Sequence, residues 1–388
     1  MNPRQPTISK LQRAVIHVLL ALLRAVYSAL KLLPSQELIT VLSRQCDEPT
    51  EDLRLLEGEF RKRRLNFRIL TKRIPKTFLG KATYLIHLLR QLFLVSRSGV
   101  LVVDGYSIVA SALRHKKALR VIQIWHASGA FKHFGYSALG AESGPNPEMS
   151  RIFRLHANYS HVLCSGSLAV QPFSEAFGID RTNVLQYPLP RLDLLSKPSR
   201  DEISMNIYEE FSHFKDQKVV IWAPTSIMVG GLNRPSTNLL VSAANTSGYQ
   251  LIESLEKCHI DPAKLVSNPY SKFSTLEWLT VSAGLITDQS SMIFEAIFAG
   301  LPFVILVDPR EREKLFQASY LDSKVWDSFI TDDADKAFSM ISSQDYISKC
   351  LALRKDYITE PRDKSYTKDL VDLIEDQSSS SRHESKKR

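Results

Sequence analysis

Short, β-rich apolar runs recur through most of this chain, and stretches of helical composition separate them. The runs lie at residues 100–103, 121–125, 161–164, 184–186, 219–223, 284–287 and 303–307, with helical stretches such as 84–95, 147–158, 168–177 and 291–299 between them. Strands that alternate with helices specify βαβ units, and therefore parallel sheet in an α/β fold. At 388 residues the chain exceeds one ordinary core and suits two domains of about 150 residues each. The polar stretch 196–216 parts the two strand sets and is expected to be a linker, with one α/β domain at 35–195 and another at 217–375. Two such domains facing each other place strand carboxyl ends, where open α/β sheets bind ligands, along a shared cleft. The tail 376–388, with its serine run and basic end, is expected to be disordered.

Charge is unevenly placed. Residues 1–120 hold 22 Lys and Arg against 8 Asp and Glu, whereas the remainder hold 28 against 33. A uniformly basic nucleic-acid binder would not show this asymmetry, so no nucleic-acid partner is expected. One basic segment meeting an anionic membrane surface or a phosphorylated substrate fits it better.

The first 34 residues suggest how. Lys10, Arg13, His17, Arg24, Ser28 and Lys31 are spaced by 3, 4, 7, 4 and 3, which puts them on one stripe of a helix that Pro34 ends. The rest of that helix is almost wholly apolar, the make-up of an interfacial helix, with Lys10, Arg13, Arg24 and Lys31 as its membrane-binding cations. Arg24 and Lys31 interrupt the apolar region, which disfavours a signal peptide. A helix packed against the rest of the protein is the alternative. The run Arg61-Lys62-Arg63-Arg64 would extend the basic surface.

Two motifs carry chemistry. In Ile124-Trp125-His126-Ala127-Ser128-Gly129-Ala130-Phe131-Lys132 an apolar strand empties into a His, a small-residue loop and a Lys. A His at the carboxyl end of a strand faces the cleft, and its ordinary pKa of ~6.5 suits a general base. Small residues such as Ser128 let backbone N–H groups approach an anion, and Lys132 adds positive charge. In Thr287-Asp288-Gln289-Ser290-Ser291, a strand runs into a Ser pair that opens a helix carrying Glu295. The free N–H groups of that first turn and the hydroxyls of Ser290 and Ser291 make a phosphate site, and Glu295, one turn on, is placed to hold ribose hydroxyls. Asp288 or Ser290 as a plain helix cap is the bland reading. Thr225, after the strand 219–223, is expected to line the cleft with Asp288. There is no P-loop, GxGxxG or GxSxG, so kinase-type, dinucleotide-linked and α/β-hydrolase chemistry are disfavoured.

Together these stretches resemble the CDP-glycerol glycerophosphotransferases of teichoic acid synthesis. The resemblance rests on Trp125-His126-Ala127, Cys164-Ser165, Phe177-Gly178, Pro190-Arg191-Leu192-Asp193, Ala223-Pro224-Thr225 and Thr287-Asp288-Gln289-Ser290-Ser291, and covers roughly residues 100–310. The His126 loop is nearest that of the primase-type members. The resemblance implies a GT-B architecture, two Rossmann-like domains about a cleft with the nucleotide mainly on the C-terminal one. It implies CDP-glycerol as donor and an undecaprenyl-diphosphate-linked saccharide as acceptor. It also implies CMP as product, no metal or other cofactor, and a peripheral place on the cytoplasmic face of the cell membrane. It adds Arg191 to the substrate-binding set. The readings left open are a CDP-ribitol or sugar-nucleotide donor, or an inactive GT-B scaffold on the membrane.

Overall fold

In the computed structural model, which describes residues 9–75, 77–141, 144–225, 236–254 and 268–386, the apolar runs pair as parallel strands. Strands β1 (Ile39–Ser43), β2 (Phe67–Thr71), β3 (Val100–Val103), β4 (Arg120–Gln123), β5 (His161–Cys164) and β6 (Val184–Gln186) form one sheet in the order β2-β1-β3-β4-β5-β6. Strands β7 (Lys218–Ala223), β8 (Tyr249–Glu253), β9 (Ser282–Thr287), β10 (Phe303–Leu306) and β11 (Ile330–Thr331) form a second, ordered β11-β10-β9-β7-β8. Both sheets are parallel throughout. In each, the chain winds outward in both directions from one adjacent pair. That pair is β1 and β3 in the first sheet, and β7 and β9 in the second. Such switch points open a crevice beyond the strand ends.

The alternation begins earlier than the sequence suggests. Strand β1 is buried at all five positions yet reads Ile-Thr-Val-Leu-Ser. Its Thr40 is paid off by a 2.7 Å hydrogen bond with Ser98 in the buried layer, so the run is less apolar than a core strand usually is. Strand β8, Tyr-Gln-Leu-Ile-Glu, is an edge strand with only Tyr249 and Ile252 buried.

Two boundary expectations are corrected. Residues 196–216 are no free linker: helix Ser199–Glu210 and the following turn bury Ile207 and Phe214 in the C-terminal core. The tail is not disordered up to Lys386, because helix Tyr366–Lys386 runs through it. That helix returns to the N-terminal domain, where Leu370, Val371, Leu373 and Ile374 share a core with Leu53, Leu56 and Phe60 of helix α2 (Glu51–Lys62). Burying four such side chains, each worth about 1.5–3 kcal/mol, is what holds the returning helix in place. Asp193 fastens its start, accepting hydrogen bonds from the backbone N–H groups of Tyr366 and Thr367 and from the Ser365 and Thr367 hydroxyls. Of the basic run, Arg63 serves the same junction, pairing with Glu59, Asp372 and Glu375, while Arg61, Lys62 and Arg64 remain exposed.

Helix α1 (Lys10–Leu30) starts at a Ser9–Gln12 capping box and is, by length and composition, long and apolar enough to cross a membrane. It lies along the protein body, with Leu20 and Tyr27 buried and the Tyr27 hydroxyl 2.8 Å from His115 Nδ1. Two of its four named cations turn toward the body: Arg13 pairs with Glu148, and Arg24 Nε donates to the Ala112 carbonyl at 3.3 Å. Lys31 lies over the Tyr27 ring, and Lys10 is exposed. The outward face is apolar instead: Leu11, Val15, Val18, Leu19, Leu22 and Val26 are exposed. The neighbouring helix α3 (Phe78–Arg97) adds exposed Leu85, Ile86, Leu89 and Phe93.

Candidate functional site

His126 follows β4 by three residues, and the backbone just before it is strained. Trp125 has φ of +59°, a left-handed conformation that costs a bulky residue on the order of 1–3 kcal/mol. It persists because its surroundings leave it no other choice. Gln123 Oε1 accepts from the Trp125 N–H at 2.9 Å, while Gln123 Nε2 donates to the Gly105 carbonyl and the Tyr159 hydroxyl. The indole stacks on Phe134 at 4.9 Å and meets Phe177 and His156 edge-on. The His126 ring lies 4.1 Å from the indole, and its Nδ1 is 3.0 Å from the Asp104 carbonyl. A carbonyl can only accept, so in the tautomer with the proton on Nδ1 this contact is a hydrogen bond and Nε2 is the basic nitrogen. The Gln45 Nε2, which can only donate, lies 3.0 Å from the same Nδ1 and is satisfied in the opposite tautomer. Thus residues at the ends of β1 and β3 jointly hold the ring. Burial pushes the Asp104 carboxyl up to about 7, with the Ser43 hydroxyl pulling the other way.

Beyond His126 the loop crosses to the C-terminal domain. Gly129 lies flat against Phe294, where an added Cβ would fall 2.6 Å from the ring. Lys132 forms an antiparallel bridge with Ser319, flanked by hydrogen bonds from His133 N to Ala318 O and from Tyr320 N to Phe131 O. The loop is thereby laid against helix Met292–Ala299, which the Ser pair opens.

At that helix the expected residues divide. Ser291 takes the N-cap position with no side-chain capping bond, and Ser290 Oγ accepts from the Met292 N–H at 3.2 Å, leaving its own O–H to donate. Both are partly exposed. Asp288 is fully buried and does not line a cleft: Oδ1 accepts from the backbone of Thr225 at 2.8 Å and of Gln289 at 2.5 Å, stapling the end of β7 to the end of β9. Thr225 is itself buried at that staple.

Glu295 and Arg191 also differ from expectation. Glu295 is 1% exposed, and its Oε1 accepts from the buried Ser128 hydroxyl at 2.7 Å. Burial raises its pKa, with Arg191 and Ser128 pulling it back. The Arg191 side chain and backbone N–H both bind Asp52, with Nε–Oδ2 and N–Oδ1 at 2.8 Å. Arg191 Nη1 lies 3.8 Å from Glu295. Asp52, Arg191, Glu295 and Ser128 therefore form one buried chain across the two domains. In this arrangement the carboxylate and guanidinium answer each other instead of facing a ligand.

The structure thus joins Ser128 directly to Glu295 and lays the loop that follows His126 against helix Met292–Ala299. Gln45, Asp104, Gln123 and Asp52 escaped sequence reasoning. Gln123 left one trace, a lone amide within the apolar run Val121-Ile122-Gln123-Ile124.

A family model described as CDP-glycerol:poly(glycerophosphate) glycerophosphotransferase matches residues 27–226. The teichoic acid ribitol-phosphate primase of Bacillus spizizenii is 31% identical over 242 residues, which cover 60% of this chain and 62% of the relative. The teichoic acid glycerol-phosphate primase of Bacillus subtilis is 24% identical over 230 residues, covering 56% of this chain and 58% of the relative. These matches span less than two thirds of either relative's length. A solved structure of the wall teichoic acid polymerase TagF superposes with a TM-score of 0.66 at 16% identity, covering 95% of this chain and 96% of that one. The likeness establishes the fold, a GT-B-like pair of Rossmann-like domains.

Proposed function

Because the chain belongs to the CDP-glycerol:poly(glycerophosphate) glycerophosphotransferase family, we propose that it transfers glycerol phosphate from CDP-glycerol to a lipid-linked saccharide, releasing CMP, in teichoic acid or related cell-envelope polymer synthesis. The observation that carries this reading is the Ser128–Glu295 hydrogen bond. It joins the loop of a basic His to the helix whose open N-terminus suits a phosphate.

In the reaction so read, His126 Nε2 takes the proton of an acceptor hydroxyl, and that oxygen bonds to the β-phosphorus of the donor. The bond from the β-phosphorus to the bridging oxygen breaks, and its electron pair leaves with CMP. Lys132, the Ser290 O–H and the N–H groups opening helix Met292–Ala299 stabilise charge on the transferring phosphoryl oxygens. Ser291 stands at the same helix opening. Thr225 and Asp288 fix the shape of the nucleotide side through their staple. Glu295, held by Ser128, sets the loop against the helix, and in a more open arrangement of the domains its carboxylate is placed for the ribose.

CDP-ribitol is the second reading, favoured by the higher identity to the ribitol-phosphate primase than to the glycerol-phosphate primase, 31% against 24%. The exposed apolar faces of α1 and α3 support attachment to the cytoplasmic face of a membrane. The test is CMP release from CDP-glycerol and from CDP-ribitol, with a lipid-linked disaccharide in vesicles. Release from CDP-glycerol, lowered by ~10² or more in His126→Ala while donor binding survives, is the expected outcome. Release only from CDP-ribitol replaces the donor. Wild-type turnover by His126→Ala removes the base. Lipid binding without release from either donor makes the chain a scaffold.

A further inference from the structure

The nucleotide side of the site, at the β7/β9 switch point, accounts for one of the two crevices this topology creates. The other lies beyond β1 and β3, and it is hollow. A cavity of about 340 Å³ there is lined by Arg44, Gln45, Arg73, Gln91, Asp104 and Tyr106, among others. None of these was singled out for substrate binding from the sequence. The volume falls in the range of small-molecule sites, and the location is where open α/β sheets hold their ligands.

The lining has a definite chemistry. Arg44 Nε is fully buried and hydrogen-bonds to nothing, although buried polar groups are nearly always satisfied. The Arg44 guanidinium lies over the Tyr106 ring at 5.2 Å, which fixes its plane. Among the described residues no carboxylate pairs with it. Arg73 adds a second cation at the rim and shares it with Asp47 at 3.3 Å. Gln45 and Gln91 offer amide donors beside them. An oriented guanidinium with a spare Nε–H, backed by amides and a second cation, matches a phosphate, and the buried, unpartnered Asp104 carboxyl, which takes up a proton more readily than usual, lines the same cavity. Gln45 and Asp104 also touch His126 Nδ1, so an occupant sits one residue away from the base.

We propose that this cavity binds the phosphate of the acceptor, with Arg44 as its principal ligand. The inference rests on the transferase reading above and divides the labour between the two switch points: donor nucleotide at β7/β9, acceptor phosphate at β1/β3.

Titration calorimetry on the full chain in detergent tests it with glycerol 3-phosphate, inorganic phosphate and CDP-glycerol as probes. Loss of one charge-assisted pair should weaken glycerol 3-phosphate binding by about tenfold or more in Arg44→Gln. CDP-glycerol should bind that variant within about twofold of wild type, since additive behaviour is expected of distant sites. Arg44→Lys, which keeps the charge and loses the fork, should fall between the two and supplies the reading if Arg44→Gln does not fold. Unchanged glycerol 3-phosphate binding in both variants overturns the proposal. So does an equal loss of CDP-glycerol binding, which would make the cavity part of the donor site. Inorganic phosphate bound as tightly as glycerol 3-phosphate makes it a general anion site and also overturns it. Arg44-dependent binding of glycerol 3-phosphate in a protein that binds no CDP-polyol and releases no CMP leaves the cavity standing and removes the transferase reading instead.

Discussion

Trp125 sits in a backbone conformation that bulky residues avoid, and Gln123 is the residue that keeps it there. The arrangement turns the chain sharply at the end of β4, so that the next side chain, His126, reaches the carbonyl of Asp104. Gln123→Leu removes three hydrogen bonds in the buried layer and leaves the Trp125 N–H and the Gly105 carbonyl without their partner. We expect a loss of about 2–3 kcal/mol in denaturant unfolding, since each unsatisfied buried group costs about 1–3 kcal/mol. Turnover should fall by about 10–100-fold with donor affinity near wild type, because a small misplacement of a catalytic group carries that penalty. Loss of stability with unchanged turnover would show that Gln123 only supports the fold. His126 was legible in the sequence because Trp-His at a strand end is a side-chain signal. Its partner was not, because the atom that orients it is a backbone carbonyl, which every residue possesses.

Helix α1 shows how far periodicity reaches. The 3-and-4 spacing of its charges gave the helix and its stripe, but not which stripe faces the body. The structure turns Arg13 and Arg24 toward the domain and the leucines and valines outward. Leu22→Glu together with Ile86→Glu should therefore cut vesicle binding by at least about tenfold, since burying a leucine-sized side chain is worth about 1.5–3 kcal/mol. Both positions are exposed, at 58% and 71%, so the unfolding midpoint should stay near wild type. Full vesicle binding by the pair would exclude this face. His115 docks the same helix through Tyr27 and the Ala110 carbonyl, and burial, with help from Lys31 and Arg154, lowers its pKa to about 4. The folded protein thus holds the neutral ring. As pH falls from the ordinary histidine value of ~6.5 toward 4, the unfolded chain takes up a proton that the folded chain refuses, and stability drops by on the order of 3 kcal/mol. His115→Gln does not titrate, so the gap between its midpoint and that of wild type should shift in its favour between pH 7 and pH 4.5. A constant gap would show that His115 does not control this acid sensitivity.

Across the whole molecule, the two domains are joined by a buried ionic chain and by a helix that crosses back. Asp52, Arg191, Glu295 and Ser128 come from four separate segments. Removing one charge strands the others away from water, so Arg191→Met should cost about 3–5 kcal/mol. Adding Asp52→Leu should restore a large part of that, as replacing both partners of a buried pair by apolar groups is often close to neutral. Equilibrium unfolding of Arg191→Met, Asp52→Leu and the double variant gives the comparison, and a double-variant loss equal to the sum of the two single losses would mean the pair is not coupled. The recovery bears on function too, because the same chain holds the His126 loop against helix Met292–Ala299. The family resemblance implies a substrate role for the Pro190-Arg191-Leu192-Asp193 stretch through Arg191. In the fold it is a hub, with Arg191 on α2 and Asp193 at the start of the C-terminal helix.

By itself the sequence determined the parallel α/β plan, the N-terminal helix, the His and Ser-Ser motifs and the family they resemble. Those features are local: strand and helix periods, strand-end residues and helix openings are set by neighbours within a few positions. Only the tertiary structure decided that Glu295 and Arg191 answer buried partners, that 196–216 and the tail belong to the two cores, and that β1 and β3 enclose a cavity beside His126. Those outcomes depend on residues tens to hundreds of positions apart meeting in a water-poor layer, where an ionised group must find a partner or lose stability, and no local spacing records which partner it finds.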